Sequence, residues 1–155
     1  MNQKMQHFDD FHIIGIAVET TNANGQAAQD MGALWGQFFA QQISNQISAK
    51  LSDDIYMVYT DFESDYTGRY TAIIGHKVPA LNNIPERLIG RTFPAGKYQH
   101  FEAKGAMPEA VGTAWQQIWE QDKHLNRAYI ADFDVYGSKS QNGDQSLVDI
   151  YVGVR

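Results

Sequence analysis

The chain has 155 residues, 43% of them hydrophobic and 12% aromatic, with 13 Gly and 4 Pro, which suits one compact domain of common size and excludes a disordered chain. Its 18 acidic and 12 basic side chains leave a net charge of −6, and no run of Lys or Arg offers a direct nucleic-acid surface. It has no cysteine, so disulfides, thiol catalysis and thiolate metal centres are excluded.

Met1 to Asp10 has no apolar run and no small-residue cleavage site, so it does not read as a signal peptide. No stretch approaches the roughly 20 apolar residues of a membrane helix, and the expectation is a cytoplasmic protein without a membrane partner. Phe11 to Val18 is a β-rich run too apolar for a wholly exposed strand. A polar loop, Thr20 to Gln26, leads into a helix from about Ala27 to Ile47, whose Met31, Leu34, Trp35, Phe38, Phe39, Ile43 and Ile47 form one stripe at helical spacing. Strands follow over Ile55–Thr60 and Tyr70–Gly75, joined by an acidic turn ending in Gly68.

After a connector around Pro79 and Pro85 the same order returns. Arg87 to Gly90 leads to a strand over Phe93–Phe101, and Gly105 to Pro108 break it. A helix then runs from about Glu109 to Lys123, and strands over Tyr129–Tyr136 and Leu147–Val154 flank a polar loop with Gly137, Asn142 and Gly143. The halves match locally. Trp35, Phe38 and Phe39 answer Trp115, Ile118 and Trp119; Val58-Tyr59 answers Val135-Tyr136, and Ile74-Gly75 answers Val152-Gly153. The expected architecture is therefore α+β: a single domain over 1–155 holding two pseudo-symmetric βαββ modules, approximately 8–78 and 86–155. Their antiparallel sheets would surround a central ligand cleft at the seam.

Strand alternation separates the side chains of the last two strands. Phe133 and Val135 share one face, expected to lie under the helix, and Asp132, Asp134 and Tyr136 share the other. In the last strand Ile150, Val152 and Val154 take the apolar face and Asp149 and Tyr151 the opposite one, so Asp134, Tyr136, Asp149 and Tyr151 are expected to be neighbours. The repeat equates Asp134 with Met57, Tyr136 with Tyr59, Asp149 with Thr71 and Tyr151 with Ile73, which leaves the charge on one side of the cavity. Carboxylates among aromatic walls suit an organic cation, and a buried carboxylate needs a partner or a raised pKa. The contrasting reading is a solvent-exposed sheet face of alternating acids and tyrosines.

Phe93-Pro94-Ala95-Gly96-Lys97-Tyr98, Trp115 to Glu120, Asp132 to Tyr136 and Asp149-Ile150-Tyr151-Val152, in that order, resemble the GyrI-like small-molecule-binding family. That family includes effector-binding domains of AraC-type and MerR-type multidrug regulators, gyrase inhibitor proteins and stand-alone versions carried on mobile gene cassettes. The resemblance covers nearly the whole chain and implies a cleft for lipophilic, often cationic compounds. It places Asp134 where the family commonly has a glutamate, a shorter acid that withdraws the charge by about one methylene. It also matches Asp149 and Tyr151 to the acid-Ile-Tyr pattern of the last strand, and Glu120 to a recurrent glutamate. The resulting ligand-binding set is Asp134 as charge partner, Asp149 as second acid, Tyr59, Tyr136 and Tyr151 as walls, and Met57, Trp115, Trp119 and Glu120 around them.

His7, His12, His76, His100 and His124 lack metal-ligand spacing, and no nucleophile motif or phosphate loop occurs, so neither cofactor, metal nor catalytic residue is expected. Gly15, Gly68 and Gly96 read as turn or strand-end glycines. The expected function is non-enzymatic binding of a small aromatic, cationic molecule, with any transcriptional role through a separate DNA-binding regulator, since no helix-turn-helix segment fits beside the repeat. The alternatives are a gyrase-inhibitor-type interaction module and a hydrolase of reactive small molecules.

Overall fold

A computed structural model describes residues 4–155; the first three residues of the N-terminal segment lie outside the described residues. Strands β1 (Lys4–Phe8) and β2 (Phe11–Thr21) precede α1 (Gln26–Ala40), the short α2 (Ile43–Gln46), β3 (Ile55–Thr60) and β4 (Arg69–Val78). The second half contains β5 (Ile89–Phe93), β6 (Gly96–Lys104), α3 (Glu109–Glu120), the short α4 (Asp122–Leu125), β7 (Arg127–Tyr136) and β8 (Leu147–Val154).

Four local readings of the sequence are corrected. The first helix breaks after Ala40, where Gln42 takes a left-handed backbone, φ 50°, and the second breaks at Gln121, between α3 and α4. The strand expected over Phe93–Phe101 is two strands, because Pro94 has no N–H to continue a ladder. Gly15 is neither a turn nor a strand-end residue: it sits inside β2 opposite Gly75 of β4, and a Cβ there would meet the Ile74 carbonyl oxygen at 1.9 Å.

Among the described residues the eight strands form one antiparallel sheet in the order β1-β6-β8-β7-β3-β4-β2-β5. The two units thus share one continuous sheet rather than contributing separate ones. Exchanging β3 with β7, β4 with β8, β2 with β6 and β1 with β5 gives the same order read from the opposite edge. In the central β3–β7 ladder Ile55 faces Tyr136, Met57 faces Asp134 and Tyr59 faces Asp132. The repeat that equates Tyr59 with Tyr136 exchanges the outer pairs and maps Met57–Asp134 onto itself, so the approximate two-fold axis passes through that pair.

The first strand of each half is given to the other: β1 pairs with β6, and β5 pairs with β2. In a flat sheet β1 and β2 would stand about 29 Å apart at roughly 4.8 Å per strand. The link Asp9-Asp10 between Phe8 and Phe11 spans at most about 11 Å, so the sheet must curl. It curls around an aromatic cluster on one face, where Phe8 of β1 and Phe11 of β2 both meet Phe133 of β7, at centroid distances of 5.5 and 5.2 Å. Helices α1 and α3 cover the other face through Leu34, Phe38, Val111, Ala114, Trp115 and Ile118, which pack on Ile14, Ile16, Ile74, Phe101, Ile150 and Val152.

Both faces of β7 are consequently buried, and its orientation is the reverse of the expected one. Phe133 belongs to the cluster away from the helices, whereas Asp134 pairs laterally with Met57 and Ile150 and lies beneath the helices. Apolarity could not distinguish two buried faces; the carboxylate went to the side that supplies donors.

Candidate functional site

Helices α1 and α3 lie over the sheet with a cleft between them, on the approximate two-fold axis. Met31 and Val111, equivalent positions on the two helices, line both of its lobes together with Ala28, Gly112 and Tyr59. The larger lobe, about 920 Å³, is walled by Trp35, Phe39, Tyr136 and Met107 and floored by Met57. The smaller, about 200 Å³, is walled by Phe62, Tyr66, Tyr70, Trp115 and Trp119, with Arg127 and Asp132 at its base. Pockets of the larger size hold drug-sized molecules.

Helical glycines keep this space open. Gly112 lines both lobes and Gly32 the larger one, and a Cβ added to either would find nothing within 4 Å. Glycine inside a helix costs roughly 1 kcal/mol relative to alanine, so the two positions carry a helix penalty without any packing need for it.

Asp134 stands behind the cleft wall. It is wholly buried, and its two oxygens accept from the Tyr59 hydroxyl at 2.6 Å and the Trp115 indole N–H at 3.0 Å. Burial raises its pKa to about 7, with both hydrogen bonds opposing the rise. A carboxylate bonded through a phenol and an indole passes negative potential to rings that line the cavity, which strengthens their attraction for a cation on their faces. The rings are held edge to face, 5.3 Å apart. Burial and then Asp134 also push the Tyr136 hydroxyl well up.

The lobes differ in charge. Asp53, Asp54 and Glu109 line the larger one, with no Lys or Arg among its lining residues. The smaller contains a buried network: Arg127 donates to Asp132 at 2.5 Å and to Asp122 at 3.2 Å, and the Gly153 N–H donates to Asp132 at 2.8 Å. This network is built by an irregularity in β7. Arg127 pairs with Val154 and Asp132 with Val152, so four residues of β7, Ala128 to Ala131, stand against the single Gly153 of β8, with Tyr129 at φ 55°.

The expected site residues divide. Tyr59, Trp115 and Trp119 line the smaller lobe, Met57, Tyr59 and Tyr136 the larger, and Asp134 backs both through Tyr59. Asp149 and Tyr151 are not neighbours of Asp134. Asp149 pairs with Val135 and bonds His100 at 2.8 Å on the face away from the helices, where Tyr151 stacks on His100 at 4.8 Å. Glu120 is exposed at the end of α3 and outside both lobes. Sequence reasoning passed over Arg127, Met31, Val111, Tyr66 and Phe39. The repeat held a signal for two of them, since Met31 and Val111 lie at matching positions before Trp35 and Trp115.

The family model described as integron-associated effector binding protein matches residues 4–154. Among solved structures, an integron cassette protein from the mobile metagenome of Vibrio cholerae is 26% identical over 99% of this chain and 95% of its own, with a TM-score of 0.75. SAV2435 bound to tetraphenylphosphonium is 20% identical, with all of this chain and 94% of that one covered and a TM-score of 0.83. EcmrR, in a complex with DNA, is 9% identical over 99% of this chain and 58% of its own, with a TM-score of 0.65. The last two show a common fold. No curated protein matches the chain.

Proposed function

The chain belongs to the integron-associated effector binding proteins, and from that membership we propose that the cleft between α1 and α3 binds a lipophilic organic cation, held by aromatic walls and by the charge of Asp134. The observation that carries this reading is the pair of hydrogen bonds that two rings of the cavity wall, Tyr59 and Trp115, donate to one buried carboxylate. The acids that line the larger lobe without a basic residue support it, as does the tetraphenylphosphonium bound by a protein of the same fold.

In this reading the larger lobe takes the charged centre and the rings of Trp35, Tyr136 and Tyr59 surround it. An occupied cleft bridges α1 and α3, so binding stiffens the relation of the two halves. We assign the transmission of that change to a separate DNA-binding regulator, in keeping with the acidic balance of the chain and with the DNA-bound protein that contains a domain of this fold. The chain alone should then leave a DNA fragment unshifted in a mobility assay.

Tetraphenylphosphonium and tetraphenylborate have nearly the same shape and opposite charge. Titrated against tryptophan fluorescence, the cation should bind and the borate should not, and Asp134→Asn should weaken the cation by about tenfold. Equal affinity for the two ions would overturn the charge assignment.

A further inference from the structure

The larger lobe accounts for a cation, but the smaller lobe has a property that a cation does not use. Most of its polar groups are already engaged. Asn22 donates to the Tyr66 carbonyl at 2.8 Å and accepts from the Tyr70 hydroxyl at 2.6 Å. Tyr59 and Trp115 are committed to Asp134, and Asp132 to Arg127 and Gly153. Against this stands Arg127, whose side chain is 2% exposed and whose Nε is a buried nitrogen with no hydrogen-bond partner among the described residues. A buried donor left unmade is costly, and an acceptor supplied to it restores that energy.

The backbone is arranged to hold this group in place. The looped-out segment of β7 separates Arg127 from Asp132 by five positions yet brings their side chains together. The guanidinium lies 4.2 Å from the Tyr129 ring centroid and 5.8 Å from that of Trp115. Nothing of the kind stands at the other end of the cleft, whose lining contains no Arg or Lys.

We propose that the smaller lobe is an acceptor-selective subsite in which Arg127 Nε–H donates to a neutral oxygen of the ligand. The preferred ligand is thus an aromatic cation with a carbonyl or similar acceptor set apart from its charge. A carboxylate is disfavoured at this point, because Asp122 and Asp132 already outnumber the guanidinium and leave the cluster one negative charge in excess. The smaller lobe's volume, about 200 Å³, limits the group it takes to about one substituted ring. This proposal rests on the cleft being a cation site, and it adds a determinant that the charge reading does not contain.

Three triphenylphosphonium cations of nearly equal shape test it: para-isopropylbenzyl, para-acetylbenzyl and para-carboxybenzyl. Calorimetric titration of the full chain should show the acetyl compound binding about tenfold tighter than the isopropyl compound, and the carboxylate weaker than the acetyl compound. In Arg127→Lys, which keeps a cation beside Asp132 and removes the Nε donor, the acetyl-to-isopropyl ratio should fall to about one. If that variant does not fold, the wild-type protein still decides: the NMR resonance of Arg127 Nε–H should move with the acetyl compound and not with the isopropyl one. Equal binding of the two, or an unmoved resonance, overturns the acceptor subsite alone. Tightest binding of the carboxylate overturns its neutrality. Failure of all three to bind overturns the cation cleft together with it.

Discussion

Asp134 is the proposed charge partner because, among the described residues, its carboxylate accepts from two rings of the cleft wall, Tyr59 and Trp115. A folded-state pKa of about 7 lies above the roughly 3.9 of an aspartate in the unfolded chain. Between those values the native state holds a proton that the unfolded state has lost, so this group's contribution to stability is present below about pH 4 and declines as pH rises towards 7. At roughly 1.4 kcal/mol per decade the decline has an upper bound of about 4 kcal/mol. Asp134→Asn should remove it. Urea denaturation at pH 5 and pH 8 should show a smaller loss of stability in the variant than in the wild type; equal losses would mean that Asp134 is ionised throughout. That an acid and a tyrosine alternate on β7 was legible from strand parity alone. The face they occupy was not, because Phe133 is just as deeply buried on the other side and apolarity is no guide where a sheet is covered twice. Asp149 and Tyr151 keep the face expected of them, opposite Ile150 and Val152, and the reversal of β7 alone parts them from Asp134.

At the scale of elements, the cleft exists because α1 and α3 do not close over it. Their buried stripes include the residues read from the sequence, Leu34 and Phe38 on one helix and Trp115 and Ile118 on the other, and Val111 joins the second. The edges of the stripes became the cavity walls: Trp35 and Trp119 are half-buried, and Phe39 is exposed and stacked on Trp35 at 5.7 Å. Gly112→Ala should stabilise α3 by up to about 1 kcal/mol, raising the thermal midpoint by roughly 2–4 °C, while Gly112→Leu should fill the space between the lobes and weaken tetraphenylphosphonium by about tenfold or more. Calorimetric melting and titration of both variants check this; a Leu variant with unchanged affinity would place the ligand elsewhere. The irregularity in β7 that presents Arg127 had no visible signal, since the strand read from the sequence runs unbroken from Tyr129 and leaves Arg127 outside it, and the loop-out depends on a Gly153 whose Cβ would meet the Ala131 oxygen at 2.6 Å.

At the scale of the whole molecule, the two halves are tied by the exchange of β1 and β5 across one sheet. The internal repeat that suggested two modules was legible from the tryptophan helices, but the exchange was not, because β1 is short and polar and finds its partner, β6, some 90 residues later. Phe8 holds it there, edge-on to Tyr98, Phe133 and Tyr151. Phe8→Ala should therefore cost about 2–3 kcal/mol, somewhat less than a fully enclosed ring. It should lower one cooperative transition, with far-ultraviolet circular dichroism and tryptophan fluorescence changing together. Separate transitions for the two signals would show halves that fold independently. The same continuity lets a ligand between α1 and α3 act on the molecule as a unit, and the proposed event is a cation arriving beside the buried carboxyl of Asp134. Calorimetric titration of tetraphenylphosphonium at pH 7, in two buffers of different ionisation enthalpy, reads that event as proton release. We predict that protons leave the wild-type protein as the cation binds, since burial raises the Asp134 pKa to about 7, and that none leaves Asp134→Asn; binding to the wild type without proton release would contradict the role assigned to Asp134.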